Sequence, residues 1–250
     1  MQASGYLFAI IISSRSKCVK SKVIVALDFA SENHLISFVD RVDPELCGLK
    51  IGKELFTALG PRPVEMLVKK GFSVFLDLKY HDIPNTVERA CAAARDLGVW
   101  MVNVHALGGA EMIQAARSGL GNAPNRSLLT AVTILTSMDA AGLRTIGFNL
   151  EPVEMVKRLA CLAQKSGADG VVCSANEAKE LNILFGENFI KVTPGIRPSG
   201  SPTDDQKRIM TPSEAMEQGA DYLVIGRPIT QAQDPVSVLT SVIRDIDNSV

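Results

Sequence analysis

A repeated pattern constrains the fold of this 250-residue chain more than any other sequence feature. A helical segment is followed by a glycine and then by an apolar run, and the glycines that open four of these runs are Gly71, Gly98, Gly167 and Gly219. Each glycine stands where the end of a helix favours a left-handed residue. The first two are 27 positions apart and the last two 52, close to twice that spacing. This length is typical of one strand with its helix, and parallel strands covered on both faces read as continuous apolar runs.

The repeat predicts eight strands that close into a barrel. The predicted strands cover residues 23–28, 47–52, 73–79, 100–106, 128–135, 169–174, 190–195 and 222–226. Helical periodicity lies between them, for example over residues 84–97 and 152–165. Eight such units without a linker predict an α/β fold, a (β/α)8 TIM barrel that forms a single domain over residues 22–250. A doubly wound open sheet is the alternative, but no GxGxxG follows the first strand.

Residues 1–21 are interpreted as an N-terminal extension outside the fold. The apolar run 6–12 has only seven residues and no basic stretch before it, whereas Arg15, Lys17 and Lys20 follow it. This order is the reverse of a secretory signal. Every other apolar run is shorter than a membrane span requires, so we expect no membrane association.

Composition and charge exclude several classes of function. With 26 basic and 27 acidic side chains the formal net charge is −1, which gives no basic surface for nucleic acid. The five cysteines are scattered without a CxxC pair, as is typical of a reducing compartment rather than of a disulfide framework or zinc site. The three histidines have no HxxxH spacing. We therefore expect a cytoplasmic protein without a metal site.

The densest group of charges, Asp77, Lys79 and Asp82, follows the third predicted strand. Because strand side chains alternate between faces, Asp77 and Lys79 point the same way, and Pro84 then suits the first turn of a helix. Two carboxylates ~4 Å apart repel by roughly 4 kcal/mol at an effective dielectric near 20. Such a cluster is retained either as a structural ion network or for chemistry, and the spacing alone leaves both interpretations open.

Polar residues end most of the predicted strands. They are Asp28, Lys50, Asp77, Lys79, Asn103, His105, Thr136, Ser137, Ser174, Arg197 and, directly after Gly226, Arg227. In a (β/α)8 barrel these ends meet on one rim, where function resides, so their convergence predicts a site. Three alternatives stay open: Asp28 could cap a helix, and His81 and His105 could be hydrogen-bonded structural residues.

The last two strands carry features of a phosphate site. Gly226-Arg227-Pro228 ends strand 8, and residues 193–198 end strand 7 and supply Arg197. Loops after strands 7 and 8 of such barrels commonly bind phosphate through backbone N–H groups and a helix N-terminus, and arginine adds a bidentate partner. The polar stretch 199–206 that follows is interpreted as a mobile lid.

The segment Asp-Leu-Lys-Tyr-His-Asp-Ile-Pro-Asn-Thr at 77–86 resembles the active-site signature of the orotidine 5′-phosphate decarboxylase family. The resemblance extends from Lys22 to about Ser241 and includes Ala26-Leu-Asp-Phe, Leu49-Lys-Ile-Gly, Val102-Asn-Val-His-Ala, Val132-Thr-Ile-Leu-Thr-Ser, Thr193-Pro-Gly-Ile-Arg-Pro and Val224-Ile-Gly-Arg-Pro. It implies cofactor-independent decarboxylation of orotidine 5′-phosphate to UMP and CO2, the last step of pyrimidine biosynthesis. It also implies the monofunctional bacterial type, a homodimer with active sites at the interface.

The resemblance further implies a role for each site residue. Lys79 would protonate C6 of the pyrimidine, Asp77 would lie beside the departing carboxylate, and Lys50 and Asp82 would complete a row of alternating charges. The other implied roles are in substrate binding: Asp28 and Lys50 at the ribose hydroxyls, Thr136 at the pyrimidine edge, Gln206 between base and phosphate, Arg197, Arg227 and the Gly226 amide at the phosphate, and Asp82, Ile83 and Thr86 in the partner's site.

Two rival functions remain. The first is a metal-dependent decarboxylase or synthase of sugar phosphates from the same suprafamily, which carries an acid on the second strand to hold magnesium. This chain has Lys50 there, which would repel a metal. The second is a catalytically silent barrel that only binds nucleotide phosphates. It would be expected to lack Lys79 or one of the aspartates, all of which are present.

Overall fold

The computed structural model describes residues 21–198 and 210–248. Eight parallel strands pair in sequence order, and the eighth pairs with the first to close a barrel. The strands are β1 (Val23–Ala26), β2 (Gly48–Gly52), β3 (Val74–Tyr80), β4 (Met101–His105), β5 (Leu128–Val132), β6 (Gly170–Val172), β7 (Ile190–Pro194) and β8 (Tyr222–Ile225). The predicted (β/α)8 barrel is therefore confirmed, and the open-sheet alternative is wrong. The predicted strand 128–135 is three residues too long, because the apolar run continues beyond the last paired residue.

Helices connect the strands on the outside of the barrel. Those of the described ranges are α1 (Glu32–Val39), α2 (Lys53–Leu59), α3 (Arg62–Lys69), α4 (Pro84–Asp96), α5 (Gly109–Leu120), α6 (Ala140–Thr145), α7 (Pro152–Lys165), α8 (Ala175–Phe185), α9 (Pro212–Glu217), α10 (Arg227–Thr230) and α11 (Pro235–Asp247), with a 3-10 turn at Ala106–Gly108. The predicted helix 152–165 has the observed bounds, and the predicted helix 84–97 ends one residue earlier, at Asp96.

The four glycines of the sequence repeat adopt the predicted left-handed conformation. Gly71, Gly98, Gly167 and Gly219 have φ angles of 90°, 79°, 90° and 88°. Each reverses the chain between a helix and the strand that follows, and a residue with a Cβ would be strained there. The repeat thus sets the spacing of the strands around the barrel.

The hydrophobic core has two layers. One lies between the sheet and the helices and takes the outward side chains of the strands, such as Val74 and Leu76 of β3. The other lies inside the barrel and includes Phe75 and Trp100, whose ring meets that of Tyr222 edge-on with centroids 5.0 Å apart. The inward position after Phe75 is Asp77, so the interior changes from apolar to charged toward the C-terminal ends of the strands.

Within the described ranges, no helix is long and apolar enough to cross a membrane. The described cysteines, Cys47, Cys91, Cys161 and Cys173, are free thiols. The predicted extension 1–21 lies outside the described residues except for Ser21, as do the predicted lid 199–206 and Gln206 within it.

Candidate active site

Four charged side chains from three neighbouring strands form a row at the C-terminal end of the barrel. The Lys79 Nζ lies 2.5 Å from Asp77 Oδ1, and the Lys50 Nζ lies 3.4 Å from Asp77 Oδ2. The same Lys50 Nζ lies 3.8 Å from Asp28 Oδ1. The charges along Asp28, Lys50, Asp77 and Lys79 therefore alternate in sign. The predicted association of Lys50 with the acidic cluster is confirmed.

Burial makes this row strongly coupled. Lys50 is 8% exposed and Asp77 is 9% exposed, whereas the side chains of Lys79 and Asp28 are open to solvent by 25% and 53%. Burial acts to raise the pKa of Asp77. The ammonium groups of Lys50 and Lys79, with hydrogen bonds from Lys79 and Asn103, act in the opposite direction and hold that pKa below its ordinary value. Asp77 is therefore an anion held between two cations.

Lys79 has an unusual backbone conformation. Its φ is 53°, which makes it the one residue other than glycine in the described chain with a positive φ. The pairing of β3 with β4 also shifts at this point, from Leu76 opposite Val102 to Tyr80 opposite Val104. Three residues of β3 thus face Asn103 alone on β4. The irregularity aims the Lys79 side chain, as bulges near active sites commonly do.

Asn103 joins the cluster through its side chain. Its Nδ2 donates to Asp77 Oδ1 at 2.7 Å, and its Oδ1 accepts the Lys79 backbone N–H at 2.8 Å. The sequence placed Asn103 on the rim but gave no sign of either contact, because both depend on the shifted register between β3 and β4. Its position could have identified it, because Asn103 faces inward on β4, the strand next to the one that carries Asp77 and Lys79.

Small residues leave room around the Asp28 end of the row. A Cβ added at Gly226 would lie 3.4 Å from Asp28 Oδ2, and one added at Gly52 would lie 3.1 Å from the Lys50 Nζ. The backbone of Gly226, after β8, therefore lies next to Asp28, after β1. This is the place at which the predicted phosphate-binding strand end adjoins the charged row.

The two predicted phosphate-binding arginines follow β7 and β8. Arg197 is buried, and its backbone N–H donates to the Met210 carbonyl across a short bridge between Ile196 and Met210. Arg227 is half-buried and begins α10 directly after Gly226. Both arginines lie at the rim that carries the charged row.

The remaining predicted residues lie further from the row. Asp82, Ile83 and Thr86 are exposed at the start of α4, with Ile83 67% exposed, and the Asp82 carboxylate accepts the Ile83 N–H at 2.7 Å. Thr136 is half-buried in the turn after β5. Lys79 forms its hydrogen bonds and its ion pair with Asn103 and Asp77, and not with these four residues of its own chain.

The two rim histidines form a pair. The rings of His81 and His105 are 5.5 Å apart between centroids, and the pKa of His105 is lowered, first by burial and then by electrostatic interaction with His81, Lys53 and Lys79. Among the described residues, no three His, Cys, Asp or Glu side chains are grouped so that they could hold a metal ion.

This fold and site define a (β/α)8-barrel enzyme whose polar machinery lies on the C-terminal rim. Residues 21–242 match the family model described as "Orotidine 5'-phosphate decarboxylase / HUMPS family", and the chain belongs to that family.

Several relatives share most of their length with this chain. It is similar to the orotidine 5′-phosphate decarboxylase of Pectobacterium atrosepticum, with 53% identity over 96% of this chain and 97% of that protein. It is also similar to the enzyme of the same name from Escherichia coli, with 54% identity over 95% and 98%. A crystal structure of orotidine 5′-phosphate decarboxylase from Lactobacillus acidophilus superposes with a TM-score of 0.80 and 39% identity, and the match covers 90% of this chain and 98% of that one.

Proposed function

We propose that this chain decarboxylates orotidine 5′-phosphate to UMP and CO2, the final step of de novo pyrimidine biosynthesis. The observation that carries the proposal is the Asp28–Lys50–Asp77–Lys79 row, an alternation of charge with a buried centre, Lys50 and Asp77, on the catalytic rim of a barrel of this family. The catalytic domain is taken to run over residues 22–250, and the free thiols support a cytoplasmic location.

The reaction requires charge stabilisation more than any other form of catalysis. Breaking the bond between C6 and the carboxylate leaves the electron pair on C6 and releases neutral CO2. An ammonium fixed near C6 stabilises this carbanion and then transfers a proton to it, so that UMP forms and Lys79 regains a proton from solvent. Lys79 is suited to this role because Asp77 and its own backbone hold it in place.

Asp77 has a second effect on the substrate carboxylate. As an anion with a lowered pKa, it repels another carboxylate placed next to it, and that repulsion vanishes when neutral CO2 forms. Lys50 keeps Asp77 ionised and, with Asp28, faces the open side of the row, where the ribose hydroxyls would bind. The exposed half of the Asp28 side chain supports this role.

The distal phosphate supplies binding energy that orients the pyrimidine. Arg197 and Arg227 at the ends of β7 and β8 are suited to hold a phosphate dianion, with the Gly226 amide beside them. Thr136 after β5 is assigned to the pyrimidine edge. Gln206 is assigned to a bridge between base and phosphate, and it lies outside the described residues. Binding far from C6 thus contributes to catalysis at C6.

The second chain of a homodimer would complete the site. Asp82, Ile83 and Thr86 are exposed on the β3–α4 connection, and Ile83 is a large apolar side chain open to solvent. We assign these residues to the partner's site, where Asp82 would continue the charge row. Mixing Lys79→Ala with Asp82→Ala protein tests this: exchange of subunits should restore one intact site per mixed dimer, whereas two variants that stay inactive together would contradict it.

No cofactor is assigned. The rival chemistry, that of the metal-dependent members of the same suprafamily, uses a metal held by an acid on β2, and here that position carries Lys50, 3.4 Å from Asp77 and 3.8 Å from Asp28. The Lys50 ammonium lies between two carboxylates, where a metal cation would otherwise bind, and it would repel such a cation. Turnover should therefore be insensitive to EDTA.

The decisive experiment follows the ultraviolet spectrum of orotidine 5′-phosphate during conversion to UMP by the purified protein, with and without EDTA. Equal turnover in both conditions supports the proposal. Turnover that EDTA abolishes would favour the metal-dependent rival, and binding of the nucleotide without turnover would favour a silent binding protein.

A further inference from the structure

We propose that Asn103 is a positioning residue for the Lys79 ammonium, and that it acts through two hydrogen bonds made by one buried amide. The inference rests on the proposed function, in which Lys79 is the proton donor, and it adds a residue outside the charged row to the machinery of the site.

The two contacts fix the amide in one orientation. Asn103 is 0% exposed, so its polar atoms depend on protein partners. Its Nδ2 donates to Asp77 Oδ1 at 2.7 Å and its Oδ1 accepts the Lys79 N–H at 2.8 Å. A carboxylate can only accept and a backbone N–H can only donate, so the amide cannot be reversed. One side chain therefore holds both the carboxylate that pairs with Lys79 and the backbone that carries Lys79.

The Lys79 backbone needs such a partner. A positive φ is unfavourable for a residue with a side chain, and it persists only where the surroundings enforce it. The shift in register between β3 and β4 interrupts regular pairing at Lys79, and the Asn103 side chain takes the N–H instead. Without this bond, the Lys79 backbone would be free to relax toward an ordinary extended conformation, and the ammonium would move with it.

The same amide also acts on Asp77. Burial opposes the charge on this carboxylate, while Lys50, Lys79 and the Asn103 amide favour it. Asp77 Oδ1 receives both the Lys79 ammonium, at 2.5 Å, and the Asn103 amide. The amide therefore fixes which oxygen faces Lys79 and from which direction.

Loss of this clamp should lower kcat rather than raise KM. A displacement of about 1 Å at a reacting group costs on the order of 100-fold in rate. The predicted phosphate ligands lie on β7 and β8, away from β3 and β4, so binding of the nucleotide should change by less than about threefold. A loss of kcat with little change in KM is not expected from a residue that only stabilises the fold.

Two variants separate the two bonds. Asn103→Leu has a similar size and removes both. Asn103→Asp keeps an acceptor for the Lys79 N–H but places a second carboxylate against Asp77. Two carboxyl groups so close together take up one shared proton at a pH above the ordinary carboxyl range. As the pH falls, this proton therefore restores a hydrogen-bond donor. The activity of Asn103→Asp relative to the unmodified protein should therefore rise from about pH 8 to about pH 5.

The matched control is Thr130→Val. Thr130 is paired with Asn103 in the β4–β5 register, is equally buried, and donates only to the Val102 carbonyl at 3.3 Å. Removing its hydroxyl perturbs the same layer of the barrel without touching the charged row. Its kcat should stay within about threefold of the unmodified protein.

The experiment measures kcat and KM of all four proteins across this pH range, with urea unfolding to confirm that each is folded. A loss of about 100-fold in kcat for Asn103→Leu, together with acid recovery of Asn103→Asp, supports the inference. A folded Asn103→Leu within about threefold of the unmodified kcat, or an Asn103→Asp profile parallel to that of the unmodified protein, overturns it. If Asn103→Leu does not fold, the Asn103→Asp profile decides alone. If the proposed function were wrong, the unmodified protein itself would show no turnover, and this result differs from every outcome described for the variants.

Discussion

Neutralising Asp77 is the sharpest test of how the charged row is held together. In Asp77→Asn the side chain keeps its shape but loses its charge, so Lys79 loses the carboxylate at 2.5 Å and Lys50 the one at 3.4 Å. At an effective dielectric near 20 each of these attractions amounts to roughly 5–7 kcal/mol before solvation is counted.

Much of that attraction offsets the cost of taking the charges out of water. Removing one member of a buried ion pair typically costs about 3–5 kcal/mol, because the remaining charge stays buried without its partner. Lys50 is 8% exposed and cannot turn to solvent, although Asp28 remains 3.8 Å away. For a chain of this length the same loss corresponds to a fall in Tm of roughly 6–20 °C.

The assay is urea and thermal unfolding of Asp77→Asn beside a control with the same substitution at the surface. Asp40 pairs with Lys70 at 2.9 Å, with both side chains about half exposed. Such a pair contributes about 0–1 kcal/mol, so Asp40→Asn should be nearly neutral. If Asp77→Asn were no less stable than Asp40→Asn, the electrostatic account of the row would be wrong.

Three further predictions follow from the same structure. Because the folded-state pKa of Asp77 is lowered, its contribution to stability is present above the ordinary carboxyl range and is lost as the pH falls below about 5. The free energy of unfolding of Asp77→Asn should therefore depend less steeply on pH in this range than that of the unmodified protein. Arg227→Ala should raise the KM for the nucleotide about 10–100-fold, because it removes charge-assisted bonds to phosphate. The KM for the corresponding phosphate-free nucleoside should change little. Arg95 lies at the opposite end of the barrel, so Arg95→Ala should leave KM unchanged. Burial raises the pKa of Cys47 and Cys91 to about 12, so both thiols should react with a chromogenic thiol reagent only after unfolding, and fast native labelling of either would contradict this.

The barrel and the position of its site could be predicted because both depend on local patterns. The glycines at 71, 98, 167 and 219 mark helix ends, and strand alternation places Phe75 in the barrel core with Asp77 above it. The association of Lys50 with this cluster followed from the cost of burying an unpaired ammonium.

The rest of the site depends on contacts between strands, which the sequence does not specify. Lysine gives no sign of a positive φ, so the conformation of Lys79 could not be predicted. The two bonds of Asn103 exist because three residues of β3 oppose one of β4, and a register shift cannot be deduced from periodicity. The contact of Asp28 with Lys50 likewise depends on how β1 and β2 meet.

We assign Lys79 as the proton donor for a decarboxylation that the charged row makes possible. The most direct test of this assignment compares the unmodified protein with Lys79→Ala in the orotidine 5′-phosphate assay, with binding of UMP measured on both. We expect turnover by the unmodified protein and none by Lys79→Ala, which should still bind UMP through the phosphate. Near-normal turnover by folded Lys79→Ala would contradict the assignment.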